Sequence, residues 1–319
     1  MRRIALVTAK EALALDEDMP PLVAALEGRG MTVDTPCWDD PAVDWRCYDV
    51  AVLRSTWDYM DRLGDFLDWT ERCASATALL NPPALVRWNT DKHYLLALAH
   101  AGVPVVPTRF VEPGEPAAAA LAAFLGGGAA ALSAGEAQAF TEFVVKPAIG
   151  VGSRDAARYP RAALQPAIDH LERLLYAGRS ALLQPYLARV DERGETALMY
   201  LGGAYSHAVR KEALLKPGGP LVAGLFAPEK ITPRDADADE LAVGRAACAV
   251  AADWAPLYVR VDLIRDAAGQ PVVLELEMAE PSLFFAFGAG SADRMARAIE
   301  VRLEPTGGGR GVTPAAGRP

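Results

Sequence analysis

Paired cysteines are missing from this sequence. Its four, Cys37, Cys47, Cys73 and Cys248, lack the close, patterned spacing of a disulfide framework or a zinc site, and they read as reduced thiols in a cytoplasmic protein. Histidine is as scarce, four in 319 residues and without ligand spacing. Basic charge is not in excess. A formal net charge of -9 argues against nucleic-acid binding, which needs a basic face. It leaves room for an anionic ligand, because a few lysines and backbone amides hold phosphate inside an acidic protein. No uncharged apolar stretch approaches the length that crosses a bilayer, so no membrane association is expected. The apolar run behind Arg2 and Arg3 is too short for a signal peptide's apolar segment and reads as a buried strand. No internal repeat, Walker A loop or dinucleotide fingerprint is present.

What the chain does have is apolar mass. Half of it, 51%, is hydrophobic, enough at this length for two or three subdomains. Residues 4–9 and 49–54 are short apolar runs flanking a helical stretch at 20–29 closed by Gly30, the alternation of parallel βαβ units. After the second run comes Arg54-Ser55-Thr56-Trp57-Asp58-Tyr59, at a strand's carboxyl end, where open α/β sheets bind ligands. The string Asn89-Thr90-Asp91-Lys92 predicts a helix start capped by Asn89 or Thr90, with Gly102 closing the helix. Residues 102–108, with two prolines, form an extended exit from the first domain.

Residues 113–141, rich in Ala, Gly, Glu and Pro, read as helices joined by a loose loop around Gly126-Gly127-Gly128. Strands are expected at 142–147 and 180–184, with a helix at 166–177 ended by Gly178 between them. The remainder reads as an antiparallel meander of 195–201, 204–211, 257–264 and 271–277, interrupted by a helix over about 237–254. Residues 305–319, rich in Gly and Pro, are expected to be a disordered tail. The division is thus 1–105, 106–187, 188–304 and the tail.

The strongest chemical signal is late. Arg260-Val261-Asp262 precedes Glu275-Leu276-Glu277 across a turn at 266–269. In an antiparallel pair alternate residues share a face, so Arg260 and Asp262 point one way and Glu275 and Glu277 point together from the partner strand. Carboxylates gathered on an apolar sheet suit a divalent cation held against phosphate, whereas a solvated face would use them as cross-strand ion pairs. Lys146, at the end of an apolar strand, is followed by Gly150, Gly152 and Ser153, whose backbone N–H groups and hydroxyl can meet phosphate oxygens. A glycine-rich hairpin tip explains that loop equally well. Gln184-Pro185-Tyr186-Leu187, where a strand runs into an extended segment, offers backbone groups to an adenine edge, with Glu195 near for ribose. On 204–211, His207 and Lys211 share a face and could line one cavity, though a lone histidine is more often structural.

Together, in this order, the strings from Lys92 to Glu277 resemble the ATP-grasp superfamily. Within it, Arg54–Tyr59, Leu182–Leu187, Ser206–Lys211 and the string Glu277-Met278-Ala279-Glu280-Pro281-Ser282-Leu283-Phe284 resemble the glutathione-synthetase-like group, and most closely the cyclo-ligases that close O-ureido-D-serine to D-cycloserine, an antibiotic. The resemblance implies an ATP-grasp fold: an α/β pre-ATP-grasp domain followed by two α+β subdomains that clasp ATP. It implies that Lys92 and Lys146 contact phosphates under the Gly150–Arg154 loop. Gln184, Tyr186 and Leu187 would hold adenine, and Glu195 the ribose. Asp262, Glu275 and Glu277 would bind Mg²⁺, or Mn²⁺, with Glu277 standing where the common pattern has Asn. Arg260, Lys211 and His207 would act in catalysis, and Arg54, Asp58 and Tyr59 would contact a small amino-acid-like substrate. The implied activity is an ADP-forming carbon–nitrogen ligase working through an acyl phosphate. An intermolecular amino-acid or peptide ligase, a phosphotransferase and a non-catalytic nucleotide-binding regulator are the rival readings. A homodimer is in keeping with related folds.

Overall fold

The computed structural model describes residues 1–127, 140–216 and 230–304. Residues 128–139, part of the 113–141 stretch expected as helices joined by a loose loop, and the tail expected over 305–319 lie outside the described residues. The first sheet holds β1 (Arg3–Thr8), β2 (Thr32–Asp34), β3 (Val50–Ser55) and β4 (Ala78–Leu80), parallel throughout in the order β2-β1-β3-β4. Its near-continuous apolar strands follow from burial on both faces. Ile4, Leu6, Val50 and Val52 pack on Leu22 and Leu26 of the helix Met19–Glu27. The alternate residues Ala5, Val7, Ala51 and Leu53 pack on Phe66 and Trp69 of a second helix, Leu63–Ala76, which the sequence reading did not foresee.

The expected helix start at Asn89 is corrected. Pro83 opens a helix Pro83–Asn89, as proline readily does at a first helical position, so Asn89 ends a helix. The next helix, Tyr94–His100, starts after Asp91, whose side chain accepts the His93 N–H at 3.0 Å. Gly102 closes it in the left-handed region at φ 79°, with Val103 N–H donating back to the Leu98 carbonyl at 3.0 Å.

The second sheet is antiparallel: β5 (Arg109–Val111), β6 (Glu142–Pro147), β7 (Ala157–Pro160) and β8 (Ala181–Pro185), in the order β5-β8-β6-β7. Phe143, Val145 and Leu183 face the helices Ala117–Leu125 and Leu164–Tyr176, which sends Val144, Lys146 and Gln184 to the other face.

The third sheet holds β9 (Glu195–Leu201), β10 (Ala204–Lys211), β11 (Ile231–Arg234), β12 (Tyr258–Arg265) and β13 (Pro271–Glu277), antiparallel in the order β11-β10-β9-β12-β13. A meander in chain order would set β12 beside β10. It lies beside β9 instead, because the helix Ala238–Val250 crosses the sheet between them. That helix lies close: a Cβ on Gly244 would stand 2.5 Å from the Tyr200 hydroxyl and 2.6 Å from Leu198 Cδ1. On the other face, Met295 and Ile299 of the helix Ser291–Leu303 share a core with Leu22 and Leu26. The 103–108 passage joins this sheet too, with Val106 N–H donating to Val273 O at 2.9 Å and Val273 N–H to Pro104 O at 2.8 Å. No described helix is long and apolar enough to cross a membrane.

Candidate active site

The inner faces of the second and third sheets enclose a cleft of about 350 Å³ that opens toward the carboxyl ends of the first sheet. Its floor is the β12–β13 pair. The register sets Arg260 opposite Glu277 and Asp262 opposite Glu275, so the four side chains share one face. Asp262 is 1% exposed and Arg260 6%, which excludes a solvated face. Arg260 donates to both Asp262 oxygens, at 2.9 and 3.0 Å, and also binds Glu277 and the Ser282 carbonyl. Lys211 arrives from β10, with Nζ 3.1 Å from Asp262 and 3.1 Å from Glu195. From the second sheet Lys146 reaches Glu275 at 2.8 Å, and Lys92 stands 4.0 Å from the same carboxylate.

These pairings set the charges. Burial opposes ionisation of Asp262, but Arg260 and Lys211 hold its carboxyl below the ordinary value. Burial likewise works against Glu275, and Lys146 and Lys92 pull it well below. Glu277 goes the other way: burial, with Asp262 and Glu275 close by, outweighs Arg260 and pushes its carboxyl up to about 7. Burial and the neighbouring Glu277 push Glu280 up to about 8. Among the described residues no three acidic, histidine or cysteine side chains stand as a ready-made metal cage. Each carboxylate of the floor turns to a lysine or arginine instead. The donor set is nonetheless all oxygen, the chemistry of a hard divalent cation.

Two further walls come from backbone. The tip of the β6–β7 hairpin, residues 150–154, lines the cleft, with Gly152 and Ser153 in the left-handed region at φ 62° and 59°. The tip is tied down at both ends. Lys92 Nζ donates to the Gly150 carbonyl at 3.0 Å, and Arg154 binds Asp61 of the first domain at 2.8 Å. Opposite, residues 184–187 line the cleft. The Gln184 side chain donates to Thr108 at 2.8 Å. The Arg158 guanidinium stacks 3.5 Å over the Tyr186 ring.

The cleft thus gathers Lys92, Lys146, Gly150, Gly152, Ser153, Gln184, Tyr186, Leu187, Glu195, Lys211, Arg260, Asp262, Glu275, Glu277 and Tyr59. Three candidates lie elsewhere. Arg54 is fully buried behind the wall, 3.4 Å from Asp18 and 3.8 Å from Asp16, because an inward arginine on a two-sided buried strand must find carboxylates in the core. Asp58 accepts from Trp38 Nε1 at 2.8 Å and from Arg62 at 3.0 Å, facing away from the cleft. His207 is a structural histidine, its Nε2 donating to the Leu283 carbonyl at 2.9 Å and its Nδ1 paired with Ser206 at 2.8 Å. The register from His207 to Lys211 is unbroken, so the two share a face, but His207 lies outside the cleft lining, its ring turned to the Leu283 and Phe284 carbonyls.

Several working residues escaped the sequence reading. The Asn89 amide donates to Leu276 O at 2.7 Å and accepts the Met278 N–H at 2.6 Å, fixing the end of β13. Asp18 accepts backbone N–H groups of Leu283, Phe284 and Phe285 at 2.6, 3.0 and 2.7 Å, fixing the segment behind it. Nothing local in the sequence announces either, since their partners lie some 190 to 265 positions away. Glu280 and Trp57 line the cleft, and both stand inside strings that carried the resemblance.

The family model of the D-cycloserine synthetase DcsG N-terminal domain matches residues 4–81. Over 309 residues the chain is 43% identical to the cycloserine biosynthesis protein DcsG of Streptomyces lavendulae, covering 95% of this chain and 99% of that protein. The chain belongs to the D-cycloserine synthetase family. A crystal structure of D-cycloserine synthetase DcsG superposes with a TM-score of 0.86 at 42% identity, over 95% of this chain and 100% of the other. The D-alanine–D-alanine ligase of Bacillus anthracis, solved with ATP, superposes with a TM-score of 0.64 at 13% identity, over 95% and 97%. That second likeness is one of fold. This family member is an ATP-grasp ligase, an enzyme that forms carbon–nitrogen bonds.

Proposed function

We propose that this chain closes O-ureido-D-serine to D-cycloserine: ATP converts the substrate carboxylate into an acyl phosphate, the oxyamine nitrogen of the same molecule displaces phosphate, and water removes the carbamoyl group from that nitrogen as carbon dioxide and ammonia. The reading rests on one observation: Lys146, Lys92, Lys211 and Arg260 converge from different elements on the carboxylates of β12 and β13 inside one cleft. In keeping with the family, residues 106–187 act as the lid, 188–304 as the metal-side subdomain and 1–105 as the substrate side. The four free thiols suit a cytoplasmic enzyme.

The residues divide the work. Incoming phosphates draw Lys92 and Lys146 away from Glu275, and the N–H groups of 150–154 close over them. Adenine lies along the backbone of residues 184–187 with Glu195 toward the ribose. The freed oxygens of Asp262, Glu275 and Glu277 would hold Mg²⁺ or Mn²⁺, which neutralises phosphate charge during in-line transfer. Arg260 and Lys211 then face the transferring group and the oxyanion that forms when nitrogen adds to the acyl carbon. Holding the nitrogen in the same molecule makes ring closure a proximity effect. The hairpin tip excludes water from the acyl phosphate.

The test is ADP release from Mg·ATP with O-ureido-D-serine, its L enantiomer and a panel of paired amino acids, alongside Glu275→Ala. Turnover confined to the D enantiomer, lost in the variant, is the expected result. ADP formed only with two amino acids together would make the chain an intermolecular ligase.

A further inference from the structure

The floor of the cleft is charge-matched: Lys146 and Lys92 face Glu275, Arg260 faces Asp262 and Glu277, and Lys211 faces Asp262 and Glu195. Glu280, on the same wall, is different. It is 8% exposed and makes no ion pair with any described residue, and its Oε2 has no hydrogen-bond partner among them. A buried carboxyl met by a phenol and by no cation is costly, and its backbone leaves it little freedom to relax. Trp57 Nε1 donates to the Glu280 carbonyl at 2.9 Å, and Arg54 reaches the next carbonyl, that of Pro281. The Tyr59 phenol bonds the carboxyl, and the rings of Trp57, Tyr59 and Phe284 line the same cleft. An unmatched carboxyl inside an aromatic wall is the chemistry that receives a small organic cation.

We propose that Glu280, with Tyr59 beside it, is the receptor for the substrate's ammonium group, so that the enzyme selects an amino acid over the corresponding acid without the amine. The inference rests on the reading that the substrate is amino-acid-like, and it adds the residue that recognises the amine. The geometry orders the cleft from the hinge at 184–187, through the carboxylate floor, to Glu280 at the first-domain end. An ammonium held at Glu280 leaves the substrate carboxylate directed back toward Arg260, whose guanidinium already reaches the Ser282 carbonyl, two residues on from Glu280.

The experiment compares parent and Glu280→Gln protein by steady-state ADP release with O-ureido-D-serine and with its analogue lacking the amino group, 3-(ureidooxy)propanoate. Glutamine keeps the shape and removes the carboxyl that a bound ammonium would ionise. The KM for O-ureido-D-serine is expected to rise about 30-fold, while the KM for ATP and the Mg²⁺ dependence stay as in the parent. The preference for the amino substrate over the analogue should collapse by the same factor. That ratio is taken within each protein, so partial misfolding cancels, and Glu280→Asp should restore part of it. An unchanged ratio in a parent that turns over O-ureido-D-serine would overturn the inference and leave the ligase reading standing. A change confined to the Mg²⁺ or ATP dependence would also overturn it, making Glu280 part of the nucleotide side. A parent that releases no ADP with any amino-acid substrate sinks the substrate reading and this inference together.

Discussion

Lys146 Nζ lies 2.8 Å from Glu275 Oε1, joining two sheets across 129 positions of sequence. The bond spans the cleft, so without ligand the second sheet is held to the third partly by an ion pair between the same groups that would otherwise meet phosphate and cation. Removing one partner of such a pair leaves the other buried and uncompensated. Glu275→Ala is therefore expected to destabilise the ligand-free protein by about 2–3 kcal/mol. Its ADP release should fall at least about 100-fold. Tripolyphosphate should raise its unfolding temperature more than the parent's, because phosphate replaces the missing carboxylate beside Lys146 and Lys92. Equal shifts in thermal melts of the two proteins would show that the lysines do not exchange partners in this way.

Asn89 offers a sharper separation of two structural roles. A helix cap lost to alanine costs about 1 kcal/mol, and a neighbouring threonine can stand in. The observed role is different: both ends of the amide are engaged with β13 and the residue after it, buried at 7% exposure. Truncation leaves a buried carbonyl and N–H unpaired, so Asn89→Ala should cost about 3 kcal/mol or more in urea unfolding. A loss near the cap value would mean that water reaches those backbone groups.

The contrast between these two residues shows what was legible in the sequence. β6, β9, β10 and β13 were readable end to end, because each is an apolar or alternating run bounded by turn residues and its identity is local. The pairing of Arg260 with Glu277 and of Asp262 with Glu275 followed from strand period and one short turn. Partnership over long separations was not readable. The strand order around β9 depends on a helix crossing the sheet. Arg54 was expected at the substrate because its carboxylates, Asp16 and Asp18, stand on a different loop. His207 does share a face with Lys211, but the distant carbonyls of Leu283 and Phe284 take its ring out of the cleft.

Arg54 can be returned to its structural role by experiment. Its guanidinium is 0% exposed and is the cation nearest Asp18, which itself gathers three backbone N–H groups. Arg54→Met should lower unfolding free energy by about 3 kcal/mol or more, since it strands two buried carboxylates. The KM for the amino-acid substrate should be unchanged in the folded fraction. A raised KM with an unchanged unfolding midpoint would place Arg54 at the substrate instead.

His170 gives the protein a pH dependence that lies away from the cleft. It sits on the helix Leu164–Tyr176 at 5% exposure, with Nδ1 3.0 Å from the Tyr159 hydroxyl. Burial, reinforced by Arg173, pushes its pKa down from 6.5 to about 4. The folded state therefore refuses a proton that the unfolded chain accepts below about pH 6.5. Between those values the unfolded state binds more protons, so stability rises with pH. The contribution is fully present above the unfolded pKa and is lost as pH falls from 6.5 toward about 4, where the folded form also takes the proton. Its full size is about 3 kcal/mol. Urea midpoints measured between about pH 7 and pH 4.5 should fall steadily in the parent and less steeply in His170→Gln, by about one proton's worth of slope. Parallel slopes in the two proteins would show that His170 is protonated within the fold and that the acid sensitivity comes from other groups.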